Sequence, residues 1–391
     1  MFRQRFPFIL LLFACIAQFA AAEDLQWLQY HSARQARDIV GDISSQTIEL
    51  IDNKPEGVEL PEFKSEEPVF GKWKSPMVNN GFLLIAIDKS KKNSPYNSLY
   101  IDSDGDGDLT DETPIAAYQT DNIRSDFGPV KIIYEYEDEP VTYHLNIQFY
   151  SPEKRRRIYA YSGGWYEGGI TIDGEKKHCV LIDQNSNGSF NDKSNNFWKS
   201  DRIRIGKKTD RDTNFTGNFI EIEGELYRPE IAPDGACITI TKAQDVTFGT
   251  IKMPESIKEF AAGGENGLLN VSLEKGTGKL PVGKYRIHHW AIDRKDEKAG
   301  KWSIKGEGFR KKKGLFDVTE DQEVNLAIGE PVICKLKVDE KNNQFAFKYE
   351  LKGNLGEQIS ISRNNNRAAA PKLRITNEEA EYDRSFTFEY G

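Results

Sequence analysis

Hydrophobic and polar residues alternate along most of this chain, and a period of two predicts strands. In Thr142 to Tyr150 the residues Tyr143, Leu145, Ile147 and Phe149 alternate with polar neighbours, as on the buried face of an antiparallel strand. Further strands are predicted at Phe82 to Asp88, Leu99 to Ile101, Pro129 to Tyr136, Ile170 to Ile172, Cys179 to Ile182 and Asp201 to Ile205. Asp173-Gly174, Glu223-Gly224 and Asp234-Gly235 are tight-turn pairs between such runs, so hairpins form there.

Helical periodicity is scarce. Trp27, Leu28, Ala33, Ala36, Ile39 and Val40 give residues 23–45 a weak helical spacing, which predicts a short helix or an irregular lead-in. Glu255 to Ala262 has room for two helical turns at most. Beyond about residue 245 the pattern becomes short strands with turns between them. They fall at Leu280 to Ile287, Lys301 to Ile304, Val324 to Ile328, Val332 to Val338, Phe345 to Leu351, Gln358 to Ile361, Lys372 to Thr376 and Ser385 to Tyr390, a spacing that suits β-sandwich modules.

Two stretches interrupt the strands with oxygen-bearing side chains. After the apolar end Leu99-Tyr100-Ile101 come Asp102, Asp104, Asp106 and Asp108, then Asp111 and Glu112, with Gly107 for a sharp turn and Leu109 as an apolar plug. Crowded carboxylates repel, and oxygen ligands at alternate positions suit a hard cation of high coordination number, calcium rather than zinc or copper. A weaker echo follows Val180-Leu181-Ile182. At a constant offset Asp102 falls on Asp183, Asp104 on Asn185, Asp106 on Asn187, Gly107 on Gly188, Leu109 on Phe190 and Asp111 on Asp192, with Ser189 as a further oxygen. The chain thus carries two copies of one strand-loop unit. The copy has lost charge, so it is either a weak calcium site or a turn closed by Asn and Asp hydrogen bonds alone.

The first loop resembles the calcium-binding loop of EF-hand and dockerin modules, with Asp102, Asp104, Asp106 and Gly107 at loop positions one, three, five and six. The resemblance implies that Asp108 offers its backbone carbonyl at position seven. Position twelve is Thr113 rather than a glutamate, so Asp111 or Glu112 must close the shell. Strands flank the loop where an EF-hand has helices, so the likeness extends to the loop chemistry and not to the fold.

The start of the chain changes the setting. Arg3 and Arg5, an apolar run from Phe6 to Phe19 and Ala20-Ala21-Ala22 form a secretory leader, residues 1–22, so the protein is expected outside the cytoplasm: periplasmic, secreted or on the cell surface. Lipidation at Cys15 is the competing reading, and bulky Phe13 argues against it. The net charge of −8 becomes more negative when the leader's arginines go, which argues against nucleic acid and anionic membranes as partners. No later stretch is apolar enough for a transmembrane span. Cys179, Cys237 and Cys334 remain, an odd set in apolar runs that reads as buried free thiols rather than a disulfide framework.

These features divide the chain into a lead-in (23–65), a β unit with the first calcium loop (66–155), a β unit with the second (156–244) and two sandwich modules (245–330 and 331–391). The expected fold is mainly β, with immunoglobulin-like or transthyretin-like modules after the two loop units. Leader, loops, the run Leu280 to Ile287 and the end Phe386 to Gly391 together make the chain resemble exported bacterial modular β-rich proteins, a likeness that implies architecture and location but no activity.

The other candidates are weaker. His288 and His289 would point to opposite sides of a strand, and His31, His144 and His178 lack metal-ligand spacing. Trp165, Tyr166 and Trp198 are candidate sugar-stacking aromatics, although strand aromatics usually pack in cores. Lys154 to Arg157 and Arg310 to Lys313 read as hairpin tips. No nucleophile elbow, phosphate loop or dinucleotide fingerprint stands in a meaningful context. The expected function is a non-catalytic calcium-binding β protein that engages a cell-surface polysaccharide or another exported protein. The alternative is a carbohydrate-active enzyme or glycan-binding module with a structural calcium ion.

Overall fold

The computed structural model describes residues 25–389 except 52, 137–138, 153–154, 311, 343 and 378–380. The predicted leader and Cys15 lie outside the described residues. The protein is mainly β, as its alternating pattern predicts, and nearly every strand pairing is antiparallel. Among the described residues the one helix is Ala36–Val40, so the helical spacing of the lead-in is realised over five residues only. No helix among them is long and apolar enough to cross a membrane.

Two five-stranded meanders carry the two loops. In one, Glu49–Ile51, Val69–Lys74, Phe82–Lys89, Tyr96–Ile101 and Ile115–Ala116 lie side by side in chain order. In the other the order is Gln29–Ser32, Gly164–Ile172, Glu175–Ile182, Arg202–Gly206 and Asn214–Phe215. The first acidic loop joins the fourth and fifth strands of its meander, and the second joins the third and fourth strands of its own. In both, the loop links two adjacent antiparallel strands, which reproduces in space the strand-loop unit that the constant offset gives in sequence. Asp173 and Gly174 both have positive φ, as a hairpin turn of the mirror-image type requires.

A third sheet, built on the long hairpin of Arg124–Tyr136 and Glu139–Tyr150, packs between them. Tyr143, Leu145, Ile147 and Phe149 all point inward and are buried, which bears out the alternation. One apolar core runs from Leu28 through Trp73, Ile85, Tyr143, Leu181 and Phe190 to Ile238, so both loop units share a single interior. The lead-in is woven into this body. Gln26–Trp27 pairs with Cys237–Lys242, Gln29–Ser32 with Gly164–Ile172, Gln46–Thr47 with Arg157–Ser162, and Glu49–Ile51 with Val69–Lys74.

A second core, from Ile251 to Ile328, lies under a separate group of strands. Its main sheet includes Glu259–Gly264, where sequence spacing allowed a short helix. Pairing on both edges overrides the helical tolerance of Ala261 and Ala262. Gly263 is required there, since a Cβ would meet the Phe215 ring at 2.6 Å and the Phe197 ring at 2.8 Å. The same sheet takes in Gln358–Arg363, Gln344–Lys352 and Ile333–Lys341, and the described residues of 331–391 contribute to no core of their own.

Two local expectations are corrected. A register shift in the pairing of Gly283–Lys295 with Glu259–Gly264 leaves His288 unpaired, so the two rings meet on one side with Nδ1 to Nδ1 at 3.0 Å. The three described cysteines are free, but Cys179 alone is fully buried; Cys237 is half-buried, and Cys334 lies on the wholly exposed strand Ile333–Lys341.

Leu109 and Phe190, the plugs of the two loops, are both fully buried. Phe190 makes edge contacts with Tyr143 and Tyr166 at 6.2 and 5.2 Å between ring centroids. We expect Phe190→Ala to lower unfolding stability by about 3–5 kcal/mol and Leu109→Ala by about 2–5 kcal/mol in urea titrations, the range for a large side chain removed from a packed interior.

Candidate metal centre

Each loop begins where a strand delivers a carboxylate into a reversing backbone. In the first, Asp102 Oδ1 accepts the Gly105 N–H at 2.8 Å and Oδ2 accepts the Gly107 N–H at 3.2 Å. In the second, Asp183 Oδ1 accepts from Ser186 N at 2.6 Å and Oδ2 from Gly188 N at 2.8 Å. The donors occupy equivalent positions. Gly107 and Gly188 have φ of +86° and +91°, the left-handed region that a residue with a Cβ rarely adopts.

The backbone after each glycine is clamped from outside in the same way. Leu109 N donates to Glu59 O at 2.9 Å, and Phe190 N donates to Pro233 O at 2.9 Å. The amide after the first carboxylate is also matched. Ser103 N donates to Glu112 Oε1 at 2.6 Å, and Gln184 N donates to Asp201 Oδ1 at 3.0 Å. Asp201 is the counterpart of Glu112 and was missed by the offset, because residues 193–200 lengthen the second loop. The alternating strand that begins directly after Asp201 is the signal that could have found it.

The loops then diverge. In the first, one oxygen from each of Asp102, Asp104 and Asp106 lies within 4.8 Å of the others, and Asp104 and Asp106 are exposed. Burial raises the Asp102 carboxyl above its ordinary pKa, and the charges of Asp104 and Asp106 add to that. Asp111 is also raised, by desolvation and by Asp106, Asp108 and Asp104, so it belongs to the same field. Asp108 turns away to accept the Thr110 N–H at 2.6 Å and is lowered by hydrogen bonds from Thr110. Glu112 serves as a brace on Ser103, accepting from its hydroxyl at 2.9 Å as well as its N–H.

The second loop starts inside the molecule, with Asn185, Asn187 and Asp192 half-buried and Trp198 exposed. Asp183 and Asp201 are fully buried, and Trp73 Nε1 donates to Ser186 O at 2.8 Å. The Tyr143 hydroxyl donates to Asp183 Oδ2 at 2.7 Å. Asp183 therefore meets four protein donors, counting Asn187 N at 3.3 Å, while Asp102 meets two. Asn185 and Asn187 both donate through Nδ2 to Asp192 Oδ2 at 2.7 Å. Ser189 Oγ donates to Asn191 Oδ1 at 2.9 Å, and Asp192 N donates to Asp201 Oδ2 at 2.8 Å. Asn185 Oδ1 is shielded from solvent and has no donor among the described residues. Burial lifts Asp183 to about 7 and Asp201 well above the carboxylate range, with Asp192 adding to both.

Elsewhere the structure separates the remaining candidates. Trp165 and Tyr166 are buried, whereas Trp198 is 70 % exposed. Arg156 pairs with Glu67 at 2.7 Å, so part of the first basic run is neutralised within the chain; Lys154 and Lys311 lie outside the described residues. The chain matches no family model, no curated protein and no solved structure.

Asp183 binds its proton more tightly when folded than unfolded, so its contribution to stability is present at low pH and lost as pH rises from about 4 to about 7. Asp102 shifts in the same direction. In chelator, the melting temperature should fall as pH is raised from 5 to 7.5, and Asp183→Asn, which cannot ionise, should flatten that slope in a thermal scan series.

Proposed function

We propose that the protein is a non-catalytic calcium-binding β protein that works outside the cytoplasm. The first loop would hold the ion through Asp102, Asp104 and Asp106, with the Asp108 carbonyl and the Asp111 carboxylate completing the shell. The observation that carries this reading is the trio of carboxylate oxygens within 4.8 Å, on a backbone whose amides already fix Asp102 and leave its remaining lone pairs free. Calcium takes six to eight oxygen ligands, and sites of this kind in extracellular modules have Kd values of roughly 10⁻⁴ to 10⁻³ M.

At the second loop the same backbone serves a different balance. Two of its ligand positions are uncharged, and the Tyr143 hydroxyl competes for Asp183. The shielded side-chain oxygens of Asn185 and its neighbour Gln184 are acceptors without a donor among the described residues. Calcium there would be weaker than at the first loop. The ion's role is structural in both places: it would tie the loop backbone to its flanking strands and set the surface around them.

A calorimetric calcium titration of the chelator-stripped chain tests the reading. Saturable binding should disappear in Asp104→Asn/Asp106→Asn, a pair of exposed changes that spares the fold. Calcium at about 100 times Kd should add about 2.7 kcal/mol of stability to the parent and nothing to the double variant. No saturable heat and no thermal shift up to several millimolar calcium would sink the assignment. Tyr143→Phe is expected to cost about 1–3 kcal/mol in chelator, since it leaves a buried carboxylate short of a donor, and to strengthen any second binding event.

A further inference from the structure

Beside the second loop the surface opens into a cup of about 360 Å³, lined by Arg37, Ser44, Ser45, Tyr161, Asn185 and Trp198. Its walls come from segments far apart in the chain, and the loop joins them. Ser44 N donates to Gln184 O at 2.8 Å, Gln184 Nε2 donates to Ser44 Oγ at 2.7 Å, and Ser186 Oγ donates to Ser44 O at 2.8 Å. On the opposite side Asn185 Nδ2 donates to Lys199 O at 3.3 Å. The turn carrying Trp198 is further fixed by Trp198 N on Asn196 Oδ1 at 3.3 Å, Lys199 N on Asn196 O at 2.8 Å and Arg202 Nη2 on Phe197 O at 2.7 Å.

The backbone that carries the indole is thus held in place, and Trp198 is 70 % exposed. Arg37 is exposed and makes no ion pair among the described residues, unlike Arg124, Arg156 and Arg294. One flat apolar wall, one unpaired guanidinium and three hydroxyls are a poor match for an apolar ligand. They match a ring with an apolar C–H face, several hydroxyls and one carboxylate. The volume is at the small end of ligand sites, roughly 300–1,000 Å³. A polyphosphate would call for more than one cation.

We propose that this cup binds a uronic-acid-bearing saccharide. A sugar ring stacks on Trp198, its carboxylate pairs with Arg37, and its hydroxyls meet Tyr161, Ser44 and Ser45. The cup is assembled by hydrogen bonds within the protein, so the inference does not depend on calcium at either loop.

The test is calorimetric titration of the whole chain with a glucuronate-bearing hyaluronan tetrasaccharide and with neutral cellotetraose, each in chelator and in calcium. The hyaluronan fragment should bind saturably in both buffers and cellotetraose at least about tenfold more weakly. Trp198→Ala should weaken the acidic ligand about tenfold or more, as loss of an aromatic stacking surface does. Arg37→Met should bring it down to the level of the neutral one, with melting temperatures of both variants unchanged. Absence of saturable binding, equal binding of the two saccharides, or binding that survives Trp198→Ala would each overturn the proposal. Since calcium binding is measured separately, a failed metal assignment and a failed saccharide assignment leave different records.

Discussion

The Asp183 carboxylate is the interaction on which the two-loop body is built. It is fully buried, it collects backbone amides from its own loop, and it takes the hydroxyl of Tyr143 from the central hairpin. A buried carboxylate is tolerable only when its oxygens are satisfied. That requirement fixes the loop backbone, the inward register of Tyr143 and the place of Trp73, whose indole donates to the same loop. Three sheets therefore meet at a polar knot surrounded by apolar packing.

The first loop shows what the same backbone does at the surface. Its Asp102 has fewer protein donors, and its neighbours Asp104 and Asp106 face solvent. Where the interior copy replaced carboxylates with Asn185 and Asn187 and closed on itself, the outer copy kept its charge. One geometry is thus used twice, once with a protein hydroxyl as the counterpart of the carboxylate and once with three carboxylate oxygens within 4.8 Å of one another. Burial accounts for the difference: Asp104 and Asp106 face solvent and keep their charge, whereas Asn185 and Asn187 are half-buried beside the buried carboxyls of Asp183 and Asp201.

Much of this was legible in the residues. Alternation at Tyr143, Leu145, Ile147 and Phe149 gave the strand and its buried face, and the matched glycines and plugs gave the repeat. What was hidden is what depends on distant partners. Asp201 escaped because the second loop is longer than the first, and Tyr143 looked like any core aromatic. His288 and His289 share a side because a bulge is a property of the pairing, not of one strand. Trp165 and Trp198 are alike in sequence, yet one is buried and the other exposed, since only the assembled sheets decide which aromatic is covered.

The weave of the lead-in has a kinetic consequence. Gln26–Trp27 finds its partner at Cys237–Lys242, and Gln29–Ser32 finds its own at Gly164–Ile172. Native contacts of such wide sequence separation slow folding, because chain closure must precede the contacts that reward it. A chain made from its N-terminus holds Gln26–Trp27 unpaired until more than half of the remaining sequence has followed, and Gln29–Ser32 until about 130 further residues have followed. Within the two-loop body the first described strand is thus among the last to be placed.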